Sequence, residues 1–241
     1  MEIAILMAAG LGSRMGALTE KQPKPLVEAA GLPMIESVIR GLLLRDVSDI
    51  YVVTGYLEEQ FHYLPCRYPN VSLIANPDYR TVNNISSVYY ARRHMLRSDC
   101  FICEADLFVR DPGVFDTELK SSCYFGKMVR GYSDDWVLDI GPDGYITRVG
   151  KCGNDCFNMA GITYLRKEDA RMVADAVEQA YGTPGYEACF WDDIVNKNLD
   201  RLKLRVHPVS GDQIIEIDTV EELNAVNEQY AQRTEHVDGF R

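Results

Sequence analysis

The stretch Ala4–Leu26, AILMAAGLGSRMGALTEKQPKPL, decides the fold of this chain. Ile3 to Met7 is a short apolar run and reads as a buried first strand. Gly10, Gly12 and Gly16 then free the backbone, with Ser13 and Arg14 between them. A strand that runs into a glycine-rich turn presents backbone N–H groups at the carboxyl end of a sheet, where an anion settles. Arg14 and Lys24 add fixed positive charge, the latter held between Pro23 and Pro25; Lys21 reads equally well as a solvated loop residue. The third glycine falls one position late for GxGxxG, and GxxxxGK[ST] is absent, so the turn is neither a dinucleotide fingerprint nor a Walker A loop. Glycines, an arginine inside the loop and a proline-framed lysine together point to a triphosphate.

Outward from that turn, strand and helix alternate. Met34–Leu44 repeats apolar residues at helical spacing after Pro33. Asp49–Thr54, Val71–Ala75 and Asp99–Glu104 read as strands, with helices expected over 57–64 and 83–96 between them. Such alternation predicts an α/β fold with a doubly wound, mostly parallel, Rossmann-like sheet. Ligands of these sheets lie beyond the carboxyl ends of the strands, where Gly10, Gly55 and Asp106 all fall. From Cys123 the pattern turns β-rich. Segments 123–129, 135–140, 145–149 and 160–165 read as separate strands, with Gly141-Pro142-Asp143-Gly144 as a hairpin turn. Helices over 167–181 and 190–197, strands over 202–209 and 214–217, and a closing helix over 219–232 complete the chain. Asp218 or Thr219 reads as the cap of that last helix. The expected organisation is a single domain over 1–232, with 1–122 as the nucleotide half, a small β-rich acceptor-binding insertion within 123–232, and 233–241 as a tail that is loose or used in contacts between copies of the chain.

The bulk numbers set limits. The chain has 241 residues, 46% of them hydrophobic, and a formal net charge of −11, which argues against a nucleic-acid backbone or an anionic membrane as the main partner. A polyphosphate ligand must then be met by local positive charge. No apolar run approaches the ~18 residues of a membrane span. The seven cysteines include Cys100-x-x-Cys103 in an apolar run and Cys152-x-x-x-Cys156 in a Gly/Asn-rich segment; neither has a zinc spacing, so reduced thiols of a cytoplasmic protein are expected.

LMAAGLGSRMG followed by QPKPL resembles the nucleotidyltransferase signature LAAGxGxRMx…PKPL, which is shared with the sugar-nucleotide pyrophosphorylases. Gly55-Tyr56, Asn83-Asn84, Glu104-Ala105-Asp106, Trp191-Asp192-Asp193 and Glu216-Ile217-Asp218 extend the resemblance over nearly the whole chain, and the bacterial choline-phosphate cytidylyltransferases are the family it is most similar to. The resemblance implies Mg²⁺-dependent transfer of CMP from CTP to phosphocholine, with pyrophosphate released. Cytidylyl transfer to an aminoalkyl phosphonate such as 2-aminoethylphosphonate is the alternative, followed by transfer to a sugar 1-phosphate. Asp106 and Asp218 correspond to the metal ligands. Lys24 is expected at the transferring phosphate and Arg14 at the leaving pyrophosphate, with Asp106 completing the catalytic set. The Ala8, Ala9 and Gly10 turn, Gly12, Ser13, Asn83 and Asn84 would surround the nucleotide, with Tyr56 or Tyr79 near the base. The chain's two tryptophans, Trp136 and Trp191, both stand beside acids. Rings with nearby carboxylates suit an ammonium group; the family's aromatic-and-acid pocket is matched by Trp136, Asp192, Glu216 and Asp218, and the expected acceptor set is Trp136, Phe190, Trp191, Asp192 and Glu216. Phe190 replaces the family's tyrosine, which implies a smaller amine or a different fit for choline.

Overall fold

In the computed structural model, the backbone is described for residues 1–238 and the side chains for residues 1–231. The chain begins with β1 (Glu2–Ala8), followed by the glycine loop and two short 3₁₀ turns, Ser13–Leu18 and Lys24–Leu26. A two-strand ribbon, β2 (Glu28–Ala29) and β3 (Leu32–Pro33), leads into α1 (Met34–Leu44). Then come β4 (Asp49–Thr54), α2 (Leu64–Arg67), β5 (Val71–Ala75), α3 (Ile85–Ala91), β6 (Asp99–Glu104) and β7 (Leu107–Val109). The second half holds β8 (Cys123–Ile140), β9 (Ile146–Leu165), α4 (Lys167–Ala180), α5 (Trp191–Asn196), β10 (Arg205–Pro208), β11 (Ile214–Glu216) and α6 (Val220–Asp238).

One seven-stranded sheet organises the fold, in the order β10-β8-β9-β6-β1-β4-β5. The β1–β4, β1–β6, β4–β5 and β8–β10 pairs are parallel; β9 runs antiparallel to both β6 and β8. The sheet is mostly parallel and covered on both faces, as expected. β1 shows why its sequence is apolar without alternation. Ala4, Leu6 and Ala8 join the core under α1, with Ile35, Val38, Ile39 and Leu42. Ile3 and Ile5 point the other way, into the core under α3 and α4, with Ile85, Val88, Val173 and Val177. A central strand buried on two sides needs apolar residues at every position.

Three expectations are corrected. The β-rich segments are not separate strands: β8 and β9 form one long hairpin arm of 18 and 20 residues, continuous with the main sheet. Its register is broken by bulges, with Gly131 (φ 79°), Cys152 (φ 65°) and Asp155 (φ 46°) in the left-handed region, and such breaks mimic loops in the sequence. The stretch 83–96 is α-helical only over Ile85–Ala91 and continues as a 3₁₀ turn, Arg92–Leu96. The closing helix spans Val220–Asp238, longer than the expected 219–232. Of the tail read as loose, 239–241 lie outside the described residues.

A third apolar cluster positions the site. Met15 and Val27, on either side of Lys24, pack with Met34, Phe108, Ile217, Leu223 and Val226. It fastens the glycine-loop segment to the start of α6.

Candidate active site

The parallel pairing of β1 with β6, with Met7 opposite Glu104, brings two carboxyl ends to one edge of the sheet. Gly10 leaves one strand there and Asp106 the other. Immediately after Asp106, β7 pairs antiparallel with β11, placing Leu107 opposite Glu216. This ribbon carries Asp218 back to Asp106 across more than a hundred residues of chain. Thr219 caps α6 in a reciprocal box: Glu222 Oε2 accepts from the Asp218 and Thr219 N–H groups at 2.7 and 3.0 Å, and Thr219 Oγ1 accepts from the Glu222 N–H at 3.2 Å. With the cap supplied by Thr219, the Asp218 carboxylate is free to face the glycine loop.

Lys24 stands between the two aspartates. Its Nζ lies 2.8 Å from Asp106 Oδ2 and 2.6 Å from Asp218 Oδ1. The residue is only 4% exposed. Its stem lies against Gly12, where an added Cβ would come within 2.8 Å of the Lys24 Cβ; with φ at 63° as well, that position admits no larger residue without strain. Burial draws the Lys24 ammonium down, but Asp106 and Asp218 outweigh it, and the group is held above the ordinary lysine value. Arg14 donates to the other Asp218 oxygen. Two carboxylates and two cations thus meet at the sheet edge.

These residues open onto a cleft of about 820 Å³. Gly10, Arg14, Asn83, Asn84, Asp106 and Asp218 line it, and so do Trp136, Phe190 and Glu216 from the acceptor set. Trp136 meets Phe190 edge to face, with centroids 5.2 Å apart. The Glu216 surface is open to the cleft, yet the carboxyl is pushed up to about 7, first by loss of bulk water around it and then by the charges of Asp218, Asp135 and Asp106. Burial first, and then the charges of Asp106, Glu216 and Asp192, hold the Glu104 carboxyl well above its usual range.

Asn84 does not cap its own helix. Its Oδ1 accepts the N–H of Trp191 at 2.9 Å, tying the start of α3 to the start of α5. The Asn83 Oδ1 accepts from the Asn84 N–H at 2.8 Å. The Ala9 carbonyl accepts from the Tyr56 N–H at 3.2 Å, and the Tyr56 hydroxyl bonds the Thr19 and Glu20 carbonyls at 3.0 and 2.9 Å. Tyr56 therefore braces the glycine loop. With Tyr79 it lines a separate depression at the ends of β4 and β5. Ala8 is buried under the loop, and Ser13 is an exposed residue at the head of its 3₁₀ turn, outside the cleft lining.

Two members of the expected acceptor cage are elsewhere. Trp191 is 2% exposed and stacks on Tyr124 with centroids 5.9 Å apart. Asp192 is equally buried and accepts from the Tyr124 hydroxyl at 2.9 Å. Both side chains belong to the core beneath the cleft, because α5 turns its first residues inward against β8. Burial pushes the Asp192 carboxyl up to about 7, against the pull of the Tyr124 hydrogen bond. In their place the cleft is lined by Ser133, Asp134, Asp135, Lys151 and Asn158 from the β8–β9 arm. Of these, the sequence pointed only to the two aspartates, as neighbours of Trp136; the others lie in the bulged segments, where alternation fails.

Among the described residues no group of three or more His, Cys, Asp or Glu side chains forms an all-protein metal cage. Asp106 and Asp218 are a pair of hard oxygen donors. That is the set with which Mg²⁺ is usually held, its other positions going to water and phosphate oxygens. All seven cysteines are unpaired, and no helix among the described residues is long and apolar enough to cross a membrane.

Comparison with known proteins identifies the family. Residues 4–122 match the MobA-like NTP transferase domain. Over 227 residues the chain is 47% identical to the 2-aminoethylphosphonate cytidylyltransferase of Lancefieldella rimae, covering 94% of this chain and 92% of that protein. It is 30% identical to the choline-phosphate cytidylyltransferase of Streptococcus pneumoniae, over 93% of this chain and 96% of that one. The solved structure of the S. pneumoniae CTP:phosphocholine cytidylyltransferase superposes with a TM-score of 0.86, covering 94% of this chain and 98% of that chain. A glucose-1-phosphate thymidylyltransferase structure from Bacillus anthracis, 17% identical with a TM-score of 0.78, shares the fold. The likeness to choline-phosphate enzymes read from the sequence therefore holds at the level of the chemistry, while the identity to a phosphonate enzyme is higher. With a full-length relative at that identity, the chain belongs to the cytidylyltransferases of the MobA-like nucleotidyltransferase family.

Proposed function

We propose that this enzyme transfers CMP from CTP to 2-aminoethylphosphonate, with Mg²⁺ held by Asp106 and Asp218. The observation that carries the choice of acceptor is the full-length identity to an enzyme of that name, well above the identity to the choline-phosphate enzymes. The cleft's far wall supports the same choice. With Trp191 and Asp192 in the core, two rings among the described residues line the cleft to face an ammonium, beside the Asp135 and Glu216 carboxylates. A primary ammonium is satisfied by acceptors of hydrogen bonds, whereas a trimethylated one gains most from enclosing ring faces.

In the reaction an oxygen of the phosphonate attacks the α-phosphorus of CTP. The new P–O bond forms as the bond to the β-phosphate oxygen breaks, and pyrophosphate leaves with the electron pair. Both reactants are anions, so alignment and charge make up most of the barrier. Lys24, fixed by its two aspartates, places an ammonium at the α-phosphate, where charge builds. Arg14 meets the departing pyrophosphate. The glycine loop offers its N–H groups to the triphosphate, and Asn83 and Asn84 border the nucleotide's side of the cleft. Bound Mg²⁺ supplies Lewis-acid polarisation of phosphate oxygens and neutralises part of the triphosphate charge. Trp136, Phe190 and Glu216 hold the acceptor's amino end.

Phosphocholine is the second reading, favoured by the Trp136–Phe190 ring pair and the close superposition on the S. pneumoniae enzyme. A coupled pyrophosphate assay with CTP and Mg²⁺ separates them. The proposal expects the highest kcat/KM with 2-aminoethylphosphonate; a higher value with phosphocholine or a hexose 1-phosphate refutes it.

A further inference from the structure

One atom in the cleft wall has an unmet need. Asn158 stands on β9 opposite Lys127 and again opposite Val137, because β8 bends around and flanks it on both sides. The Asn158 backbone is thus paired with two runs of one strand. Its Nδ2 donates to Asp135 Oδ2 at 3.5 Å. Its Oδ1 is buried and accepts nothing; it is the one buried side-chain nitrogen or oxygen without a hydrogen-bond partner among the described residues. Native proteins leave few such atoms, and a ligand is one of the things that satisfies them. Exchanging the amide's two ends offers no relief, since it sets the oxygen against the Asp135 carboxylate.

The neighbouring groups on this wall leave the need unmet as well. Asp135 and Glu216 present carboxylates, Trp136 and Phe190 present rings, and neither Ser133 nor Lys151, which share the lining, donates to Oδ1. Asn158 itself lines the cleft, so the orphaned oxygen belongs to a residue that meets the ligand. A ligand that satisfies it must bring a donor hydrogen. We infer that Asn158 is a specificity-determining residue whose Oδ1 accepts an N–H of the acceptor's ammonium, so that the pocket selects an amine retaining at least one N–H over a fully methylated one. This rests on the reading of the acceptor as an aminoalkyl phosphonate. A primary, secondary or tertiary ammonium keeps a proton to donate; a trimethylammonium has none and leaves Oδ1 orphaned in the complex.

The test is kcat/KM for 2-aminoethylphosphonate and its N-methyl, N,N-dimethyl and N,N,N-trimethyl analogues. For the unsubstituted enzyme the last methylation should cost roughly tenfold to a hundredfold, the toll of one unpaired buried acceptor, and more than either earlier step. Asn158→Ala should shrink that last step to under about threefold and leave KM for CTP unchanged. Asn158→Asp keeps an acceptor oxygen in place and should retain the step; it also carries the test if the alanine variant does not fold. If the unsubstituted enzyme favours the trimethylated amine, the aminoalkyl reading and this inference fail together. If it favours the primary amine while Asn158→Ala keeps the full last step, or Asn158→Asp loses it, the role of Asn158 alone is overturned.

Discussion

Replacing Lys24 with methionine tests the centre of the site. Methionine keeps an apolar stem over Gly12 and removes the charge between Asp106 and Asp218. If Lys24 acts on charge that develops at the α-phosphate, its loss resembles the loss of one preorganised donor, about 10²- to 10³-fold in kcat. KM for CTP should change far less, because ground-state binding is shared with the glycine loop and Arg14. Stability should fall too. Breaking a fully buried ion pair costs about 3–5 kcal/mol. Here the Asp106 and Asp218 side chains are 30% and 20% exposed, and water takes up part of the uncompensated charge. A loss of about 2 kcal/mol is expected, or roughly 4–8 °C in Tm for a chain of this size. Millimolar Mg²⁺ should restore part of that loss in the variant, since a divalent cation can bind the freed carboxylates. Steady-state kinetics and thermal melts with and without Mg²⁺ measure all three. An unchanged kcat, or a KM for CTP that rises as much as kcat falls, refutes the assignment of Lys24 to the transition state.

The other predictions concern the cation, the acceptor wall and the core beneath it. Asp218→Asn should raise the Mg²⁺ concentration for half-maximal activity at least about tenfold, as one of two hard donors is weakened; an unchanged metal titration removes Asp218 from the site. Trp136→Ala should raise KM for the acceptor and leave KM for CTP nearly alone; equal effects on both would make Trp136 a structural residue. Asp192 stays protonated in the folded protein up to about pH 7, whereas the unfolded chain releases that proton near pH 4. Its contribution to stability is therefore full below about pH 4 and is lost as pH rises through 7. Asp192→Asn should lose less stability between pH 5 and pH 8 than the unsubstituted protein in urea melts; parallel losses would contradict the buried, protonated Asp192.

The legible parts of the sequence were those whose physics is local. β1, its glycine turn and the proline-framed Lys24 are contiguous, and a strand buried on both faces announces itself by apolar residues without alternation. Asp106 was legible as the acid that follows an apolar strand. The meeting of Asp218 with Lys24 is different. It depends on the β7–β11 ribbon and on Ile217 packing with Met15 and Val27, contacts that no window of sequence contains; only the family motif pointed to it. The arm is not legible in the sequence because Gly131, Cys152 and Asp155 take left-handed conformations within strands, which breaks the period of two. Trp191 lies in the core although its acidic neighbours suggest a cage. A buried carboxyl with a tyrosine hydroxyl as donor is an equally good reason for an acid beside a tryptophan, and Tyr124 lies far off in sequence.

The most direct test of the account follows the reacting phosphorus itself. A ³¹P NMR spectrum of enzyme, CTP, Mg²⁺ and 2-aminoethylphosphonate should show the phosphonate singlet give way to a doublet coupled to an α-phosphate, as the mixed anhydride forms, with pyrophosphate in equal amount. A phosphonate singlet that persists while CTP is consumed, or an anhydride that forms faster from phosphocholine in the same tube, would contradict it.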